Sequence, residues 1–229
     1  MRAAFDQPNV GTRARRIVYA LASLGEAVAA LASQVSSDHF SGGDFVGLER
    51  NDLDYSGWWT AEHVEPITRH IPLQLTEDAF LDRCDKLFQL VGEGLSESAL
   101  RRLLEASGVQ PDDIQGFSSL KLLYQVTRLG NLASRTGLRL GRGSPLHSRL
   151  KEETEFTHSE KLFALYNLRM LADHRYEKGG RKRLNEALEI FGLDPAAYAS
   201  GWGPALDAIY DGVAESLEEA ASTVTQAIR

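Results

Sequence analysis

The chain has 229 residues, 43% of them hydrophobic and 25% charged, with a formal net charge of −7. That is a globular composition, long enough to bury a sizeable core without covalent staples. The acidic balance excludes nucleic-acid binding by bulk attraction, so any such contact must use a local basic patch.

In chain order, residues 12–36 are predicted to form the first helix. Ile17, Leu21, Leu24, Val28, Leu31 and Val35 recur at helical spacing. Alanines fill the other turns and favour close packing. Arg13, Arg15 and Arg16 crowd the start of this helix, where cations oppose the macrodipole, and are read as a solvated end. No apolar run approaches the roughly 20 residues that span a bilayer. The most apolar stretch, 17–32, contains Glu26 and lacks a cleavage-type flank, so it does not read as a signal peptide. No membrane association and a cytoplasmic location are expected.

Residues 38–74 are expected to be irregular, because Gly42, Gly43, Gly47, Gly57, Pro66 and Pro72 interrupt any long pattern. Phe40, Phe45, Tyr55, Trp58 and Trp59 give this loop something to bury, with a short helix around Pro66. Regular helices resume at Thr76, an N-cap followed by Glu77 and Asp78. That helix carries the single cysteine, Cys84, read as a small buried hydrophobe, and stops at Gly92 or Gly94. Ser96 caps the next helix, which ends at Gly108.

A long helix is predicted over 117–136. Residues 146–176 follow as one helix or two joined near Thr157, then a basic helix over 181–191 and a final helix over 204–228. Leu206, Ile209, Tyr210, Val213, Leu217 and Ala220 form the inner face of that last helix. No stretch alternates in the manner of a strand. The expected fold class is all-α: a multi-helix bundle with a long, aromatic-containing loop near the N-terminus. Residues 1–74 would pack as a helix and loop on a bundle formed by 75–229, the two together forming either two units or one continuous domain.

One segment is chemically pointed. The helix around 161–172 is apolar on nearly every side, which predicts burial at the centre of the bundle. Arg169 lies inside it, and a buried guanidinium is costly without partners. His174, Arg175, Tyr176, Lys178, Arg181, Lys182 and Arg183 follow, the strongest basic patch in the chain. A histidine that titrates near neutrality can exchange a proton with a ribose hydroxyl, and a guanidinium can stabilise charge developing on phosphate. Arg175, Lys178, Arg181, Lys182 and Arg183 could hold a single-stranded RNA backbone. These parts suffice for cleavage of RNA through its own 2′-hydroxyl without a metal or other cofactor.

A plainer reading uses the same atoms: Arg169 and Asp173 as an i,i+4 ion pair, His174 on the last helix carbonyls, and Tyr176 as an apolar contact. Asn167 and Met170 share a helix face with Phe163 and His174.

The run Arg169-Met-Leu-Ala-Asp173-His174-Arg-Tyr176 resembles the Arg-x4–6-His motif of the HEPN superfamily (higher eukaryotes and prokaryotes nucleotide-binding). Its Tyr176 resembles the Arg-x4-His-x-Tyr form found in toxins of HEPN–nucleotidyltransferase toxin–antitoxin pairs. The resemblance implies a helical bundle, a homodimer with the motif at its interface, and metal-independent endoribonuclease activity in a toxin–antitoxin or defence system. It also implies catalytic roles for Arg169 and His174 and makes Tyr176 a candidate site of nucleotidylation by a partner; Asn167 and Asp173, beside them in the same helix, are candidate supporting residues. The residue after the arginine, usually polar in active members, is here Met170.

Two other readings stand beside it. One is a non-catalytic interaction or regulatory module with a protein partner such as an antitoxin, contacted through Trp58 and Trp59 or with those rings covering the core. The other is a helix-turn-helix DNA binder built on residues 131–138, although Gly141, Gly143 and Pro145 occupy its second helix.

Overall fold

The computed structural model describes residues 9–141, 143–152, 159–174, 179–198 and 201–228, without the side chains of 147, 152, 173, 174 and 197. Every regular element among the described residues is helical. In order they are α1 (Val10–Val35), α2 (Gly43–Val46), α3 (Arg50–Ser56), α4 (Val64–Thr68), α5 (Glu77–Phe88), α6 (Glu97–Ala106), α7 (Ser119–Thr136), α8 (Leu146–Glu152), α9 (Glu160–His174), α10 (Gly180–Ile190) and α11 (Gly203–Gln226).

The caps explain most of the boundaries. The side chains of Asn9, Thr76 and Ser96 accept from the first-turn amides of Thr12, Ala79 and Ala99 at the starts of α1, α5 and α6. Pro204 occupies the first turn of α11, and Gly137 ends α7 in the left-handed conformation that glycine adopts without strain. The connection from Gly137 to the start of α8 at Leu146 exceeds the three- to four-residue turn of a helix-turn-helix.

The centre of the bundle is α1 against α11, the most extensive helix pair in the fold. Arg13, near the start of α1, meets Asp207 and Asp211 early in α11, while Gln34 near its end reaches the carbonyl of Ile228. The first and last helices therefore run side by side in the same direction. Their contact is made of small and branched residues: Ala14, Ile17, Leu21 and Val28 on α1, and Leu206, Ile209, Val213, Leu217 and Ala220 on α11, all buried. Each fully buried Ile, Leu or Val contributes about 1.5–3 kcal/mol of hydrophobic stabilisation.

The expected solvated end of α1 holds for Arg15 and Arg16, which are exposed, and is corrected for Arg13. Arg13 is only 8% exposed and bridges Asp207 (3.2 Å) and Asp211 (3.0 Å). Arg16 forks onto Glu218 through two bonds of 2.8 and 2.7 Å, and Arg15 lies over the Tyr19 ring. Arg13 and Arg16 oppose the dipole of their own helix because carboxylates of α11 hold them. Burial raises the pKa of the Asp207 carboxyl, against the lowering effect of Arg13. Residues of α11, some two hundred positions away in sequence, made this role illegible beforehand.

A second correction concerns hydropathy. By length and composition α1 alone among the described residues qualifies to cross a membrane, and 67% of its most apolar window is buried inside the bundle. Its alanines raise the hydropathy while serving the contact with α11.

Residues 38–74 hold the expected short helix around Pro66 as α4, and, where an irregular loop was expected, also α2, α3 and a 3-10 turn at Trp58–Thr60. Phe45, Val46, Leu53, Val64 and Ile67 from this stretch enter the same core as α1 and α11. Tyr210 of α11, fully buried, donates its hydroxyl to the Ile67 carbonyl at 2.9 Å. Cys84 is buried on α5, and desolvation raises its thiol pKa far above the ordinary range, so it is inert packing.

The helix around 161–172 is not the bundle's centre. As α9 it packs on α5, α10 and α11, burying Leu162, Ala164, Leu165, Leu168 and Leu171, while Tyr166 and Asn167 face outward. Its all-round apolarity comes from meeting three neighbours.

Gly25 allows α1 to touch the turn before α2. A Cβ there would stand 2.6 Å from the Gly42 carbonyl oxygen and 2.7 Å from Val46 Cγ2. Gly25→Ala is expected to cost about 1–3 kcal/mol, the penalty of overpacking against backbone. A lowered urea midpoint at unchanged slope checks this; an unchanged midpoint contradicts the close approach.

Candidate functional site

Arg169 sits on the outer half of α9, where the helix runs antiparallel to α5. Leu81 lies by Leu171, Asp85 by Arg169, and Phe88 by Tyr166. Past Phe88 the α5 backbone widens into a π-turn over Gln89–Glu93, a feature met often at functional sites. That turn carries Glu93 back toward α9. Its Gly92 is buried against the Phe88 ring, where a Cβ would lie 2.3 Å from Cζ.

The guanidinium of Arg169 is consequently engaged from three sides. Nη2 donates to Glu93 Oε1 at 2.9 Å, Nε lies 3.4 Å from Asp85 Oδ1, and Cζ stands 5.5 Å over the Phe88 ring. The side chain is 28% exposed, Glu93 47% and Asp85 18%. The expectation of a fully buried arginine is replaced by a half-buried one whose described carboxylate partners come from α5 and its π-turn. The side chain of Asp173, the partner expected from i,i+4 spacing, lies outside the description.

The other motif residues fall as follows. Asn167 is exposed on α9. His174 ends α9, about 140° around the axis and about 7.5 Å along it from Arg169. Its side chain, like that of Asp173, is outside the described set; Arg175, Tyr176 and Lys178 lie wholly outside it. Arg181 stands at the start of α10 and pairs with Glu77 at 2.9 Å; Lys182 pairs with Glu186 at 3.5 Å; Arg183 is exposed. Glu77 and Asp85, the partners of Arg181 and Arg169, are eight residues apart on α5, or about 12 Å. Arg169 and the described basic residues of α10 thus occupy separate stations along α5.

Arg169 forms one wall of an open cleft of about 560 Å³ between the π-turn, the start of α7 and α9. Phe163 and Tyr166 of α9, Leu95, Glu97, Leu120 and Lys121 also line it. Glu97 accepts from the Ser119 amide at 3.1 Å, and the Ser119 hydroxyl donates to the Gly92 carbonyl at 2.8 Å, tying α7 to the π-turn. Glu93, Asp85, Phe88, Tyr166 and Lys121 were not singled out in the sequence. Gly92 and Gly94 read there as a helix stop, and a π-turn has no residue signature distinct from one.

Among the described residues, no group of three or more His, Cys, Asp or Glu is placed to hold a metal ion. The aromatic segment near the N-terminus divides in two. Trp58 is half-buried against the core, whereas Tyr55 is 94% and Trp59 62% exposed. Comparison with family models, with curated proteins and with solved structures yields no match.

The Arg169–Glu93 contact is testable by a double-mutant cycle with Arg169→Met and Glu93→Gln. We expect Arg169→Met to lose about 1 kcal/mol of stability, since Glu93 loses its partner while the largely buried Asp85 keeps only Lys86 and Gln89. The coupling between the two changes should be about 0.5–1 kcal/mol. Zero coupling in chemical denaturation would show that the pair does not form in solution.

Proposed function

We propose that the chain is a HEPN-like helical bundle acting in the cytoplasm as a non-catalytic interaction module of a toxin–antitoxin or defence system. The observation that supports this reading is the state of Arg169. A guanidinium that stabilises a transferring phosphate must present its donors to substrate. Here Nη2 donates to Glu93 and the guanidinium lies at ion-pair distance from Asp85, so the residue ties α9 to α5 and the π-turn, although Nε makes no hydrogen bond. Met170, where active members of the superfamily usually carry a polar residue, agrees with this assignment. The outward rings of Tyr55 and Trp59 supply aromatic surface of the kind that anchors protein partners.

The endoribonuclease reading has one specific observation in its favour. Arg169 borders an open cleft, and its closer partner, Glu93, is itself nearly half exposed. An RNA phosphate could displace that carboxylate, with Arg181, Lys182 and Arg183 of α10 contacting the backbone and a second copy completing the site.

Incubation with total RNA in chelator separates the two. Wild-type protein, Arg169→Ala/His174→Ala and Glu93→Gln are compared over time on a sequencing gel. The interaction-module reading expects no cleavage by any of them, or equal trace cleavage by all. Cleavage by wild type that the double variant loses would overturn it in favour of the nuclease.

A further inference from the structure

Two large rings near the N-terminus are left in solvent by the core. On α3, Leu53 is buried, while Tyr55, about 200° further around the helix, is 94% exposed. Trp59, in the 3-10 turn that follows, is 62% exposed although its neighbour Trp58 packs against the core. The Trp59 ring is nevertheless held. It lies against the Gly57 backbone, where a Cβ would stand 2.6 Å from Cζ2, and meets the Trp58 ring near-perpendicular with centroids 6.1 Å apart. A ring fixed in advance loses little freedom when a partner covers it.

The charges around these rings set the sign of that partner. The surrounding elements are α3, the 3-10 turn, α4 and α1, which packs on all three. Arg50 pairs with Glu26 of α1 at 2.8 Å and Arg69 with Glu65 at 3.0 Å, while Arg13 and Arg16 of α1 are taken by α11. Four carboxylates keep their charge. Glu49 accepts from the Gly43 amide, Asp54 accepts from the Tyr19 hydroxyl, and Glu62 stands 3.5 Å from the exposed His63. Asp52 is exposed and, among the described residues, has no ion-pair partner. Against these four stands Arg15, which lies over the Tyr19 ring. The balance left to a partner is negative. The same face already shows how it receives a guanidinium: Arg50 Cζ stands 5.7 Å over the Tyr19 ring while its Nε donates to Glu26.

We propose that this face docks an arginine-rich segment of a protein partner, one guanidinium stacking on Trp59 and others meeting Asp52, Asp54 and Glu62. Arginine suits the surface better than lysine, because its planar group stacks on a ring and forks onto a carboxylate at once. The partner's chemistry rests on the interaction-module reading of the chain. RNA, a polyanion, is repelled by the same carboxylates.

Three equal-length peptides test this on the full chain, alternating serine with arginine, with lysine or with glutamate. The arginine peptide is expected to move the Trp59 indole N–H and the amides of Asp52 and Tyr55 in NMR titrations, with the lysine peptide weaker. Trp59→Ser should weaken the arginine peptide about tenfold, and Asp52→Lys about fivefold. Tyr55→Ser, at an almost fully exposed position, should also weaken it and gives a second reading should Trp59→Ser disturb the fold. Glu189→Lys, an equal change of charge on α10, should leave binding unchanged. Four results would each overturn the proposal: no shift at these groups with the arginine peptide, equal binding of the lysine peptide, full affinity in both ring variants, or an equal loss in Glu189→Lys and Asp52→Lys. Binding of the glutamate peptide at Trp59 would also overturn it while leaving the interaction-module reading intact, which the RNA cleavage assay decides separately.

Discussion

Everything else in the bundle depends on the parallel contact between its first and last helices. An alanine-rich α1 can approach α11 closely, and burying that seam removes from water a helix apolar enough to qualify as a membrane span. The seam is directional as well as apolar. Arg13, nearly buried, is gripped by two carboxylates of α11, and Arg16 by a third. A buried cation tolerates few registers, because a slip of one turn would leave it unpaired at a cost of several kcal/mol. The polar contacts therefore set the alignment that the small apolar residues alone would leave loose.

From this seam outward the architecture becomes a set of attachments. The short helices α2, α3 and α4 lie along α1 and complete the core with Phe45, Leu53, Val64 and Ile67. Helices α7 and α9 pack on α11, with α6 and α8 on α7 and α5 and α10 on α9, while α6 also meets α1 and α2 and α5 meets α4 and α11. The antiparallel pair α5–α9 is where the regular pattern breaks. A single widened turn swings Glu93 onto Arg169 and opens the cleft between α5, α7 and α9. Local backbone irregularity, side-chain charge pairing and concave shape coincide there.

Legibility was uneven for reasons visible in individual residues. The inner face of α11 could be read in full, because Leu206, Ile209, Tyr210, Val213, Leu217 and Ala220 repeat at helical spacing and all are buried. The caps at Thr76 and Ser96 were equally readable, since a cap is a contact between a side chain and an amide three residues away. Of the short helices of residues 38–74 only α4, around Pro66, was readable; α2 and α3 were not, because glycine spacing resembles that of a loop and helices of four to seven residues carry little periodicity. The motif was visible as a string of residues, but the Glu93 and Asp85 partners that redefine Arg169 lie about eighty positions upstream.

The sequence by itself determined the all-helical class, the capped starts at Thr76 and Ser96, the apolar stripe of α11 and the inert burial of Cys84. Those properties follow from interactions within a few residues along the chain, where propensity, capping and periodicity act. Only the tertiary structure decided which helix is central, what holds Arg13 and Arg16, and how Arg169 is employed. Each of those outcomes is a pairing of charges or surfaces across long sequence separation. Its energy depends on burial and on partners at contact distance, quantities that exist only once the helices have docked.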